Sequence, residues 1–170
     1  YTNTFEKYYE LMFSLVLIAI PLTRAVLPFV VSEEYKSAAF YSAFIYLGMV
    51  FQGFSSFYGI NYLNHNKTFG ATSTSIIAAA INLIIDLILM PYIGLYAAGI
   101  STFMGFLVMW IIRVRQTKKI TNIQINKKKF LIYLFVSIIC AIVTILSNTI
   151  ICIILTIIFF IIFLIKEKNF

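Results

Sequence analysis

The sequence predicts an all-α fold, a polytopic membrane helix bundle, on three observations. Of its 170 residues, 62% are hydrophobic and 11% are charged, against roughly 45–50% and about 25% in soluble domains. The mean hydropathy of +0.98 leaves too little polar surface to clothe a water-facing body, so lipid is the solvent for most side chains. The apolar residues also fall into six runs. Each run is near the ~20 residues that a helix rising 1.5 Å per residue needs to cross ~30 Å of hydrocarbon.

The first run covers about 12–31, and Glu33, Glu34 and Lys36 part it from the second, at about 38–63. Asn64 to Lys67 part the second from the third, at about 72–90, which Pro91 closes; the fourth covers about 93–112. A connector follows in which seven of the 13 Lys and Arg fall between Arg113 and Lys129. The fifth and sixth runs, at about 130–146 and 150–165, are joined only by Ser147-Asn148-Thr149, which predicts a tight helical hairpin. The chain therefore divides into a four-helix part, 1–119, and a part, 120–170, made of the basic connector and a terminal helix pair.

Charge placement predicts the orientation, because basic residues are retained on the cytoplasmic face. With the connector inside, Lys7, Lys67, Lys166 and Lys168 also fall inside, for 11 cations against Lys36 alone outside; Arg24 is left within the first run. Both termini are thus expected to be cytoplasmic. A basic excess in one membrane-surface connector argues against nucleic acid as a partner and for membrane lipids. The chain starts at Tyr1 with no signal-peptide pattern, and is expected to be the C-terminal part of a longer protein.

Helices two to five each carry small or polar residues at spacings of +4, +3 and +4, which at 100° per residue confine them to one face. They are Gly48, Gln52, Ser55 and Gly59; Ser75, Ala79, Asn82 and Asp86; Gly94, Ala98, Ser101 and Gly105; Tyr133, Ser137, Cys140 and Thr144. Small residues let transmembrane backbones approach, and the fourth helix reads as a packing element on that ground. Gln52, Asn82 and Asp86 give up hydration without improving packing, so a water-filled or substrate-facing cavity stands beside packing as their explanation. Arg24 and Asp86 are ionisable residues within spans, each costing roughly 2.5–3.5 kcal/mol at a helix centre. The alternatives to a cavity role are snorkelling for Arg24 and a solvated helix end for Asp86. The offset of the two from their helix ends predicts that they lie at one level, paired or sharing a pocket with Asn82.

Tyr8, Tyr9, Tyr35, Tyr41, Tyr62, Tyr92 and Tyr96 stand near the predicted interfaces and read as anchors. Cys140 and Cys152 sit in apolar runs and read as buried hydrophobes; with His65 the one histidine, no metal site and no cofactor are expected. No nucleophile elbow, HExxH motif or P-loop occurs. No catalytic residue is expected, and the protein is not expected to be an enzyme.

The stretch from Ala80 to Thr102 has an Asn-containing apolar helix ending in Pro, then a Gly, a small-residue pair and Thr: Asn82, Pro91, Gly94, Ala97, Ala98 and Thr102. It resembles a segment of the polysaccharide flippases of the multidrug/oligosaccharidyl-lipid/polysaccharide exporter superfamily. Glu34-Tyr-Lys-Ser-Ala38 resembles the outer turn before the next helix, and Asn66-Lys-Thr68 the basic turn. The likeness covers about 12–119, and Tyr96 departs from it where a second Gly is usual. It implies the C-terminal bundle of a two-bundle, O-antigen- or capsule-type transporter in the bacterial cytoplasmic membrane, with the missing N-terminal bundle as partner. That transporter would move undecaprenyl-diphosphate-linked oligosaccharide by alternating access. On this reading Arg24 meets the diphosphate, and Gln52, Asn82 and Asp86 line the cavity. A cation-coupled drug antiporter of the same superfamily, using Asp86, and a non-transporting membrane subunit are the alternatives.

Overall fold

The computed structural model describes residues 2–32, 38–64, 68–118, 123 and 125–167, and these contain no strand. Six helices run in chain order: α1 (Thr2–Val30), α2 (Ala38–Asn64), α3 (Thr68–Ile93), α4 (Tyr96–Thr117), α5 (Lys127–Leu146) and α6 (Thr149–Glu167). The first five are long and apolar enough to cross a membrane; α6 is a shorter apolar helix. Its 19 residues reach roughly 28 Å at 1.5 Å per residue. Glu33, Glu34, Tyr35 and Lys36 of the expected outer turn lie outside the described residues, as do His65, Asn66, Lys67, Lys119 and Lys168.

Several helix limits differ from the sequence expectation, and three of them shape the bundle. Helix α1 begins at Thr2 rather than near Met12, because Phe5, Tyr9 and Phe13 recur every fourth residue and are fully buried. Pro91 sits inside the last turn of α3, which runs on to Ile93. The break falls instead at Gly94, whose φ of +58° is open to glycine at little cost. Its amide donates to the Met90 carbonyl at 3.0 Å. Helix α4 continues to Thr117, carrying Arg113 into the bundle.

The core lies between α1, α2 and α5. Phe5, Phe13, Phe51, Phe54 and Phe130 make edge-on or tilted ring contacts, and Phe13 stacks on Tyr133 at 6.0 Å. Helix α4 packs on α2 and carries α3 on its far side; α5 and α6 pack on α1. Two glycines of α4 set the first two contacts. A Cβ at Gly99 would stand 3.0 Å from the Tyr41 carbonyl of α2, and one at Gly105 would stand 2.9 Å from the Ala78 carbonyl of α3. Among the described residues an ion pair ties the N-terminal third of α1 to the start of α5, between the buried Glu10 and the half-exposed Lys129. The α5 N-terminus is capped by Asn126, whose side chain accepts from the Lys129 amide at 3.3 Å.

Candidate functional site

The small and polar faces of α2, α3 and α4 do not close completely. They leave an open cleft of about 350 Å³ lined by Gln52 and Ser56 of α2, Ser75 and Asn82 of α3, and Met109 and Arg113 of α4, among others. Gly105 also lines it, so the residue that brings α3 and α4 together forms part of the cleft wall. Asn82 is oriented by a long contact, its Nδ2 donating to Thr102 Oγ1 of α4 at 3.5 Å.

Arg113 is 7% exposed and ties three helices together. Its Nε donates to Thr74 Oγ1 at 3.0 Å and its Nη1 to the Ser55 carbonyl at 2.8 Å; its Nη2 donates to the Ala71 carbonyl and to Ser75 Oγ, each at 3.1 Å. Every acceptor is neutral, and among the described residues no carboxylate forms an ion pair with it. The group therefore keeps its full positive charge at the end of the cleft nearest the basic connector. Gly59 makes the space, since a Cβ there would lie 2.9 Å from Arg113 Nη1. Gly70 does the same for Tyr62, whose hydroxyl donates to Gln116 Oε1 at 2.5 Å beside the guanidinium.

Of the four site residues expected from the sequence, the structure brings Gln52 and Asn82 together in the cleft and leaves Arg24 and Asp86 outside its lining. Arg24 lies flat on α2, its guanidinium carbon 3.7 Å from the centre of the Phe40 ring and its Nε buried without a hydrogen-bond partner. Asp86 has one carboxylate oxygen, Oδ1, buried without a partner. The two form no ion pair with each other, because α1 packs on α2, α5 and α6 while α3 packs on α4 and α2. The α5 stripe serves packing: Ser137, Cys140 and Thr144 are buried, and Cys152 of α6 is close to the Thr144 carbonyl. Both cysteines are free and buried. Among the described residues no three His, Cys, Asp or Glu side chains are grouped to hold a metal.

The chain is similar to an uncharacterized membrane protein of Methanocaldococcus jannaschii, 29% identical over 134 residues that make up 75% of this chain. It spans 26% of that protein's length. The chain is a multi-pass membrane protein. No family model and no solved structure matches it.

In a multi-pass membrane protein, a buried charge without a counter-ion has a direct chemical meaning. Ionisable groups inside spans face a bundle interior or a water-filled cavity, where they meet a partner or an ion. Arg113 was the residue that sequence reasoning missed, because it opens a run of basic residues and reads as part of the connector. The signal was its position: Gly105, Met109 and Arg113 follow one another at every fourth residue, continuing the small-residue face of α4.

Proposed function

We propose that the chain is the C-terminal part of a flippase. On this reading it translocates undecaprenyl-diphosphate-linked oligosaccharide repeat units across a cytoplasmic membrane by alternating access. One observation carries the reading: an open cleft within apolar helices joins the amides of Gln52 and Asn82 to an arginine whose charge no carboxylate cancels. A diphosphate entering low dielectric needs a positive partner, and a guanidinium with four of its five N–H groups already engaged meets it as a fixed positive charge with one remaining donor. Arg113 supplies that charge in this account, in place of the role expected of Arg24. Sugar hydroxyls have amide partners in Gln52 and Asn82, and the prenyl chain stays in lipid while the head group passes. The partner is then a second helix bundle of the same protein, which supplies the opposite wall.

The test is complementation in a bacterial strain lacking its own repeat-unit flippase, using the longer protein that contains this chain. Export of surface polysaccharide is expected to return, and to fall at least tenfold in a Gln52→Ala/Asn82→Ala variant whose membrane level is unchanged. Full export by that variant would remove the cleft from the transport path.

Asp86 favours one second reading. Its Oδ1 is buried without a partner, and a cation-coupled drug antiporter would need a carboxylate within its helices. Drug resistance conferred by the parent and lost in Asp86→Asn, with no polysaccharide export by either, would replace the flippase by that reading. Neither activity in a protein that still inserts would leave a non-transporting membrane subunit.

A further inference from the structure

A second cavity, of about 520 Å³, lies between α2, α4 and α5. Its volume is within the ~300–1,000 Å³ of pockets that hold ligands. Its wall is apolar along Phe51, Leu107, Trp110 and Leu134, and its mouth carries Arg115, Lys118 and Lys127. No acidic residue lines it. From Leu107 to Lys118 the wall extends roughly 16 Å along α4 at 1.5 Å per residue, about half the ~30 Å hydrocarbon thickness. The pocket thus has the length of one leaflet, with its cations at the interface end.

One further observation points to a ligand, the placing of Lys127, Lys128 and Lys129 in the first turn of α5. Cations there oppose the positive end of the helix dipole, so the arrangement favours a bound anion rather than the helix. Lys129 is spoken for by Glu10, whereas Lys127 stands at the cavity mouth.

We infer that this cavity is a binding site for an anionic phospholipid: its phosphate sits among Arg115, Lys118 and Lys127 while one acyl chain lies along Leu107, Trp110 and Leu134. Basic pockets between membrane helices take anionic head groups in this way. The site is separate from the α2–α3–α4 cleft, and its occupancy does not depend on what that cleft transports. A lipid held there would brace α5 against α2 and α4.

Trp110 is the one tryptophan of the chain, so in the longer protein with every tryptophan outside this chain replaced by phenylalanine its fluorescence reads this cavity. In nanodiscs, acyl-brominated phosphatidylglycerol should quench it at about one tenth of the mole fraction that brominated phosphatidylcholine requires. An Arg115→Gln/Lys118→Gln/Lys127→Gln variant should lose that preference, and Lys128→Gln, which removes a charge outside the cavity, should keep it. Leu134→Phe, which fills the wall without touching charge, should weaken quenching by both lipids. Inorganic phosphate in excess should leave the quenching unchanged. Equal quenching by the two lipids, a preference kept by the triple variant, or one lost equally in Lys128→Gln would overturn the site. Displacement by inorganic phosphate would make it a free-anion site instead. Stronger displacement by a polyprenyl diphosphate than by phosphatidylglycerol would assign it to the prenyl lipid, and either result also overturns the proposal.

Discussion

Gly59 and Arg113 are fitted to one another: a Cβ at Gly59 would stand 2.9 Å from Arg113 Nη1. The guanidinium is the end of a flexible side chain, but four hydrogen bonds to α2 and α3 hold it where it is. Moving it keeps the buried charge and strips its partners. Removing it is different. The Ser55 carbonyl lies inside α2, where the helix already supplies a donor, and the Ala71 carbonyl also accepts from Ser75 Oγ.

Gly59→Ala is therefore expected to cost about 1.5–3 kcal/mol, the range for hydrogen bonds to charged groups. Arg113→Met, which removes charge and desolvation together, should fall within about 1 kcal/mol of the parent or above it. Gly59→Ala placed on Arg113→Met should cost little. Denaturation in mixed detergent micelles gives all three values, and a larger loss for Arg113→Met than for Gly59→Ala would show that the arginine is a net stabiliser.

The Glu10–Lys129 pair is asymmetric in exposure, 7% against 46%. Deleting the exposed lysine removes one partner of a buried carboxylate, so Lys129→Met should cost about 1–3 kcal/mol. Adding Glu10→Gln should recover part of that loss, and a double-mutant cycle measures the coupling. Additive losses would mean that the pair contributes nothing beyond its two side chains.

Gly105 and Gly94 should respond differently to the same substitution. At Gly105 a Cβ meets the Ala78 backbone at 2.9 Å, which only a shift of α3 relieves. Gly105→Ala is expected to cost about 1–3 kcal/mol and to change the reactivity of the cleft next to it. Gly94 has nothing within 4 Å, so Gly94→Ala meets only the penalty of a positive φ, about 1–2 kcal/mol. Its effect should stay in stability and not reach the cleft.

Leu95 and Lys118 flank the two ends of α4, whose 22 residues rise roughly 33 Å at 1.5 Å per residue. Single cysteines there, in a background without Cys140 and Cys152, should label from opposite sides of intact cells. The 11-to-1 cation asymmetry puts Lys118 inside. An impermeant reagent should reach the cysteine at Leu95 alone, and labelling at Lys118 would reverse the orientation.

The six helices were legible because hydropathy and helix length are local properties. What the sequence concealed depends on other helices. Residues 2–11 fall outside the first apolar run, where Glu6, Lys7 and Glu10 interrupt the sequence and Tyr9 reads as an interfacial anchor; only the aromatic residues of α2 and α5 make Phe5 and Tyr9 core. Arg113 gave the same difficulty, since its acceptors stand 38 to 58 residues away in the chain. Arg24 showed the converse: its place within a helix was legible, whereas its facing was not, and Phe40 rather than Asp86 receives the guanidinium. Gln52 and Asn82, marked by the stripes, both line the cleft, because 100° periodicity is intrinsic to the helix.

Whether that wall faces water is decided by thiol chemistry, since the reactive species is the thiolate and a lipid-facing thiol stays protonated. Cysteines at Gln52, Ser75 and Asn82 should react with a small water-soluble reagent. One at Leu83, which is 59% exposed on α3 and absent from the cleft lining, should not. The three cleft positions should also differ among themselves. Ser75 Oγ lies 3.1 Å from Arg113 Nη2, and a guanidinium at that distance stabilises a thiolate, so Ser75→Cys should react about tenfold faster than Asn82→Cys. In an Arg113→Met background that advantage should vanish while the reaction at Asn82→Cys persists. Two results carry opposite meanings for the cleft: unreactive cysteines at Gln52 and Asn82 would make the stripes dry packing faces, and equal rates at Ser75 and Asn82 would deny Arg113 an electrostatic reach into the space that a diphosphate would enter on the flippase reading.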